Sequence, residues 1–421
     1  MPHLLAADKD GRIFSLPRLT GAGMEAGHFF RLDAHDLIRL PSGSQVFMLP
    51  DRRPAGYDPK TENFVIKDGC FAVGAFITPG FTVTSSSAYR ESGRPRMLPL
   101  FSYAACALYK DEVYVAALRI DKELRHDPRF IDINKVRRGV EKIRKMFSRN
   151  RLIRRLADCA LKHGCPGAQN FFLSRYEGPL PTSPSCNAGC FGCISYQPSG
   201  SCPPTQPRIK FAPAPEEVAE AALFHIYNVR DPVISFGQGC EGEPLLAADI
   251  VEKSITLIRK NTSRGVINMN TNASRPNTIG RLFYAGLDSV RVSLNSARER
   301  YYAAYYRPKD YKFKDVVRSI KIAKSKGGFV SINYLTMPGF TDSVDEFSAL
   351  KDFIRKNRVD MIQWRNLNFD PLRYFRILKF SCSRYGMLGV RQIIYSLRKS
   401  FPRLMMGYYN PSRGRMRRFN G

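Results

Sequence analysis

The period of apolar positions changes along this chain of 421 residues. Up to about residue 125, short runs of β-branched and aromatic residues alternate with Gly, Pro, Asp and Ser turn clusters. Ser44–Pro50, Phe64–Phe76, Phe81–Ser86 and Val113–Leu118 are predicted strands, so residues 1–125 are expected to form a small β-rich N-terminal domain. Between about 133 and 163 the period becomes helical. Val136, Val140, Ile143 and Phe147, then Ile153, Leu156, Ala157 and Ala160, form an apolar stripe over one or two helices, within a connector expected at 126–175.

From Leu180 strand and helix alternate. Predicted strands are Leu180–Ser185, Val233–Phe236, Val266–Asn270, Ser289–Leu294, Phe329–Leu335 and Met361–Arg365. Helices are predicted at Pro215–Tyr227, Ala247–Arg259, Thr278–Ala285, Lys314–Lys324 and Val344–Lys356. Parallel neighbours need crossovers, and helices are the usual ones, so six βα units imply a parallel sheet. The expected fold is therefore α/β: a partial (βα)6 TIM-like barrel core over 176–370, preceded by the smaller β-rich domain and followed by a basic C-terminal extension over 371–421. Ligands of such sheets gather at the carboxyl ends of the strands.

Charge adds a class of partner. Lys and Arg number 66 against 37 Asp and Glu, a formal charge of +29. Such a field attracts nucleic acid, nucleotides, anionic lipid or an acidic protein; the plainer alternative is a basic surface with no dedicated polyanion. The helical connector opposes its apolar stripe with Lys135, Arg137, Arg138, Lys142, Arg144, Lys145, Arg149, Arg151, Arg154 and Arg155, against Glu141 alone. That face is either a phosphate-tracking surface or a solvated helix face, with a membrane-surface helix as a weaker option. No Asp or Glu follows Asp370, which reads as a flexible basic tail.

No run of about 18 apolar residues occurs, so no membrane span is expected. The segment Met1 to Arg12 carries charges where a signal peptide needs its apolar stretch. Ten irregularly spaced cysteines do not resemble a disulfide framework, and a reducing cytoplasm is the expected location.

Three of those cysteines carry the chemistry. Cys186, Cys190 and Cys193 lie in Ser-Cys-Asn-Ala-Gly-Cys-Phe-Gly-Cys, directly after the first predicted strand. C-x3-C-x2-C on one short loop places three thiolates where they can cap three corners of one iron–sulfur cube. Electron-transfer clusters usually take four cysteines; three leave one iron open. The alternatives are a zinc site or buried thiols, but structural zinc normally takes four protein ligands and no second C-x2-C pair exists.

This loop, opening a six-unit βα pattern, resembles the radical SAM superfamily over about residues 180–370. The resemblance implies a [4Fe-4S] cluster held by Cys186, Cys190 and Cys193, with S-adenosylmethionine on the fourth iron. It further implies reductive cleavage to a 5′-deoxyadenosyl radical that abstracts substrate hydrogen, fed by an external one-electron donor such as flavodoxin or ferredoxin. The run after the second strand, Gly239-Cys240-Glu241-Gly242-Glu243-Pro244, is similar to the family's G-G-E-P motif. By that likeness Gly242, Glu243 and Pro244 receive the cofactor's amino group, with Glu241 replacing the first glycine. The chain departs from the family at Gly192, where an aromatic residue normally precedes the third cysteine; Phe191 lies one place earlier.

Family analogy places polar residues at later strand ends near the cofactor or substrate: Thr271, Asn272, Ser293, Asn295, Asn333, Gln363, Arg365, Asn366 and Asn368. Among these Ser293, Asn333 and Arg365 are the cofactor-binding candidates, Arg365 for the methionyl carboxylate. The alternative is that such residues cap turns and backbone. Cys159, Cys165, Cys202 and Cys240 are either an auxiliary cluster or idle thiols. The expected activity is radical chemistry on an unidentified substrate, with RNA favoured by charge. A peptide or small metabolite is the alternative, as is a non-catalytic iron–sulfur or nucleic-acid-binding protein on a degenerate barrel.

Overall fold

The computed structural model describes residues 1–125, 127–197 and 202–420; His126, which opens the expected connector, and Gly421 lie outside them. Twelve strands of the first 115 residues join one branched antiparallel sheet. Its centre is the strand Ile13–Glu25, paired with His3–Ala7 and Arg52–Asp58. The predicted run Phe64–Phe76 is two strands, Asn63–Ile66 and Phe71–Phe76, separated by a turn around Gly69 at φ +78°.

The helical stripe forms α1 (Ile133–Met146) and α2 (Arg151–Lys162). Asp132 and Asn150 cap their N-termini by accepting from backbone N–H groups, which sets where each helix starts. Val136, Val140, Ile143, Ile153, Leu156, Ala157 and Ala160 are buried, and α3 (Pro166–Phe172) packs beside them.

Seven parallel strands follow in sequential order: β1 (Glu177–Pro179), β2 (Val233–Phe236), β3 (Val266–Thr271), β4 (Ser289–Leu294), β5 (Phe329–Thr336), β6 (Met361–Asn366) and β7 (Met405–Gly407). The crossovers include α4 (Pro215–Asn228), α5 (Ala248–Asn261), α6 (Pro276–Ala285), α7 (Glu299–Tyr306), α8 (Phe313–Ser325) and α9 (Val344–Asn357). Two expectations are corrected. The first strand is Glu177–Pro179 rather than Leu180–Ser185, because Pro181 and Pro184 have no N–H to give a ladder. The sheet has a seventh strand, and the residues after Asp370 are not a flexible tail: they form α10 (Pro371–Leu378), α11 (Val390–Ser400), β7 and α12 (Arg413–Asn420). In α11 the buried Val390, Ile393, Ile394 and Leu397 outweigh the basic composition.

Successive strand residues face opposite sides. Outward positions such as Ile234, Ile267, Val290, Ile332 and Ile362 pack under the helices. Inward positions differ with depth. Val233, Val266, Phe329, Met361 and Met405 form an apolar floor, closed by Met416 of α12. Above it the register aligns Ser235 with Asn268, Asn270 with Arg291, Ser293 with Asn333, and Asn333 with Gln363. The barrel thus has a plugged base and a polar lumen.

The N-terminal β-rich region docks against the end of β6 through the strand Phe81–Val83, which pairs with Ala117–Arg119 outside the large sheet. Asn366 bonds both ways with the strand Phe81–Val83, and Thr82 donates to the Trp364 carbonyl. Arg52 and Asp370, both buried, meet at 2.6 Å, with the Tyr89 hydroxyl on the other carboxylate oxygen at 3.1 Å.

Candidate functional site

The three cysteines lie on the loop leaving β1, at the carboxyl end of the sheet, and all are half-buried. Neighbours pin that loop on every side. Gly189 N donates to the Tyr306 carbonyl at 3.0 Å and Phe191 N to that of Tyr305 at 3.3 Å, at the end of α7. Asn187 donates to Ser274 and Asp310 and accepts from Asn272. Gln197 donates to the Phe191 and Cys193 carbonyls.

The Gly-Glu-Pro turn after β2 lies against the same loop. Gly242 N donates to the Ser183 carbonyl at 2.7 Å and Glu243 N to that of Ser185 at 2.8 Å. A Cβ on Gly242 would lie 1.9 Å from the Ser185 oxygen, so only glycine admits this approach. The two segments singled out in the sequence are therefore a single paired unit.

Both carboxylates of the turn hold this unit together. Glu241 accepts from Thr182 N, Ser183 N, Gly237 N and Gln238 N, tying the start of the cysteine loop to the end of β2. Glu243 accepts from Leu245 N, Asn272 N and the Thr271 hydroxyl. Burial still pushes the Glu243 carboxyl up to about 7. Thr271 and Asn272 thus brace Glu243. Asn295 bonds the Tyr301 carbonyl and the Tyr374 hydroxyl, and Asn366 holds the strand Phe81–Val83.

The thiols sense one another. Burial, then the charges of Cys193 and Cys186, push the Cys190 thiol well above its ordinary value. Burial, then Glu243, push that of Cys186 up to about 11. Arg208 opposes both shifts. Its guanidinium donates to the Ser195 hydroxyl at 3.1 Å and reaches Cys193 Sγ at 3.7 Å. Nothing near Arg208 in sequence signals this role.

The donor set fits a cluster better than a single ion. Among the described residues these three sulfurs are not gathered within 4.8 Å of one another, as the ligands of one ion would be. Three soft thiolate donors on one loop suit an iron–sulfur cluster held by fewer than four cysteines. In the lumen Asn333 Oδ1 is a buried acceptor without a partner, suited to an ammonium or a hydroxyl of a ligand. Ser293 and Asn333 are register partners in the half-buried lumen; Arg365, two positions nearer the mouth than Gln363, stacks on Tyr408 with its guanidinium 4.1 Å from the ring.

The place beside Gly192 is filled by Tyr305 of α7. A Cβ on Gly192 would meet the Tyr305 hydroxyl at 2.5 Å, while Phe191 turns toward the Arg307 guanidinium, 5.0 Å from its ring. Of the additional thiols, Cys159, Cys165 and Cys240 lie close enough to shift one another, while Cys202 stands apart. Cys240 shares a hydrogen bond with Cys159, which draws the Cys159 thiol down to about 7, whereas Cys202 Sγ contacts the carbonyl of Pro203.

A parallel, partly closed barrel with a three-thiol loop at its mouth defines the class of site. Residues 180–353 match the family model described as the Radical SAM superfamily. Enzymes of that superfamily use a [4Fe-4S] cluster and S-adenosylmethionine, and residues 180–353 are similar to them. Among solved structures it is similar to anSMEcpe with bound AdoMet, at 16% identity and TM-score 0.35, covering 46% of this chain and 52% of that one. A radical SAM methyltransferase from Sphaerobacter thermophilus aligns at 14% identity and TM-score 0.36 over 48% of this chain and 63% of its own. The FeFe-hydrogenase maturase HydG from Carboxydothermus hydrogenoformans aligns at 15% and 0.39 over 68% and 72%. The chain thus spans only 52% of anSMEcpe and 63% of the methyltransferase. No curated protein matches it. No helix among the described residues is long and apolar enough to cross a membrane.

Proposed function

We propose that this protein is a radical SAM enzyme whose cluster is held by Cys186, Cys190 and Cys193. When bound, the cluster and S-adenosylmethionine supply one-electron cleavage of the sulfonium and a 5′-deoxyadenosyl radical for hydrogen abstraction. The chain's own part is placement. Gly242, Glu243 and Pro244 receive the cofactor's amino group, with backbone oxygens at the turn and the Glu243 charge beneath them. Ser293 and Asn333 meet its polar groups, and Arg365 its carboxylate. The observation that carries this reading is the pairing of the Gly242 turn with the cysteine loop, which brings cluster ligands and cofactor cradle together.

A polyanionic substrate, RNA, is the reading that charge favours. Arg137, Arg144, Lys145 and Arg154 line a groove of about 670 Å³ between α1 and α2, with Glu141 the acidic residue there. Arg151 and Arg155 turn elsewhere, to Glu217 and to the Pro207 carbonyl. The electron would come from a flavodoxin- or ferredoxin-type donor in a reducing cytoplasm. Residues 1–125 and 126–175 would act as flanking units of a core at 176–370, with 371–421 as its closing extension.

Anaerobic reconstitution should load about four irons per chain, and dithionite with S-adenosylmethionine should then release 5′-deoxyadenosine. A loaded cluster that yields none would refute the enzyme reading. RNA binding should weaken steeply with salt and with joint substitution of Arg137, Arg138 and Arg144; affinity indifferent to ionic strength would exclude RNA.

A further inference from the structure

We propose that the lumen beneath the barrel mouth holds an anionic group of the substrate, a carboxylate or a phosphate, gripped by Arg291 of β4. This rests on reading the mouth as the site of S-adenosylmethionine chemistry. Arg291 faces inward, aligned with Asn270 on one side and Ser331 on the other, one inward position below Ser293. Its Nη1 donates to Gln363 Oε1 at 3.0 Å, and its Nε is buried without a partner. Among the described residues no carboxylate forms an ion pair with it. Glu177, whose charge reaches it, is occupied by Asn410 at 2.7 Å and by Arg125 at 3.5 Å, and Arg125 also pairs with Glu123.

A second cation stands close by. Burial, then the charge of Arg365, lower the Arg291 guanidinium to about 9. Among the described residues Arg365 forms no ion pair either: it donates to the Tyr408 carbonyl at 3.0 Å and stacks on that ring. Two cations in a partly buried lumen without their own counter-charges are costly. S-adenosylmethionine carries one carboxylate beside an ammonium and a sulfonium, so it can satisfy Arg365 but not both guanidiniums. A second anion supplied by the substrate would complete the charge balance of the pair. A free Nε–H next to a partly used fork suits a carboxylate or phosphate accepting two parallel hydrogen bonds.

The test is protection of Arg291 from phenylglyoxal in the wild-type chain, read by peptide mass spectrometry, with inorganic phosphate and succinate as separate probes. Arg355, on the exposed face of α9 and paired with Asp352, is the internal control. At ten times a probe's dissociation constant, labelling of Arg291 should fall about tenfold by mass action while that of Arg355 holds. Protection by phosphate alone would assign a phosphoryl group, by succinate alone a carboxylate, and by both the shared chemistry. Protection by neither, or equal protection of Arg355, would overturn the proposal. Arg291→Gln should also lose any probe-dependent rise in melting temperature seen in the wild type; retention of the full rise would count against it. Release of 5′-deoxyadenosine by the wild type is read separately, so failure of the radical reading and failure of the anion site are distinguishable.

Discussion

Replacing Gly242 by Ala is the substitution whose effect follows most directly from the geometry. The added Cβ would lie 1.9 Å from the Ser185 carbonyl oxygen and 2.5 Å from its carbon. Restoring even a tight contact of 3.0 Å requires the two segments to part by about 1.1 Å. That breaks the Gly242–Ser183 and Glu243–Ser185 backbone bonds. Two such bonds contribute about 1 kcal/mol each, and overpacking costs about 1–3 kcal/mol, so the loss should be about 3–5 kcal/mol. It falls on the residue next to Cys186, so cluster loading should fall with it. Trp364, the single tryptophan and fully buried in β6, reports urea unfolding by fluorescence. Iron per chain after anaerobic reconstitution reports the loop. Gly189→Ala is the control inside the loop, since its Cβ would make an ordinary 3.7 Å contact with Arg307. A Gly242→Ala protein with an unchanged urea midpoint and full iron would refute the argument.

Three further outcomes are expected. Asp370→Asn leaves Arg52 buried with an uncompensated charge and should cost about 3–5 kcal/mol in urea titrations; a midpoint within error of wild type would show that the domain contact is not stabilising. Glu25 and Asp342 face each other between the N-terminal sheet and the barrel, and burial, then Asp342, push Glu25 up to about 8. The folded state therefore keeps a proton that the unfolded chain has lost, so stability should fall as pH rises from about 4.5 to about 8, and Glu25→Gln should flatten that fall; an unaltered slope would contradict it. Arg208→Gln removes a cation 3.7 Å from Cys193 Sγ and should lower the cluster's midpoint potential in an EPR-monitored titration, because hydrogen bonds to the sulfurs favour the reduced state; an unchanged potential would free Arg208 of this role.

Most barrel strands were legible to within a residue, because parallel strands under helices are short apolar runs between turn residues. β1 was misplaced by reading through Pro181 and Pro184, and β7 and α11 were hidden by charge, although Val390, Ile393, Ile394 and Leu397 already carried a helical period. The cysteine loop and the Gly-Glu-Pro turn were legible as local spacings. Their partners were not. Arg208 on Cys193, Tyr305 behind Gly192 and Asn187 against Asp310 are set by packing between distant segments, which no local pattern encodes. The same holds for the polar strand ends: Thr271, Asn272 and Asn366 were visible as polar, yet only the fold shows that they hold backbone and carboxylates in place.

The central claim is an iron left open by three protein thiolates, and the EPR spectrum of the reduced, reconstituted protein tests it most directly. Addition of S-adenosylmethionine should change that spectrum in the wild type, and Cys190→Ala should show no cluster signal. A spectrum indifferent to S-adenosylmethionine, or an intact cluster in Cys190→Ala, would contradict the account.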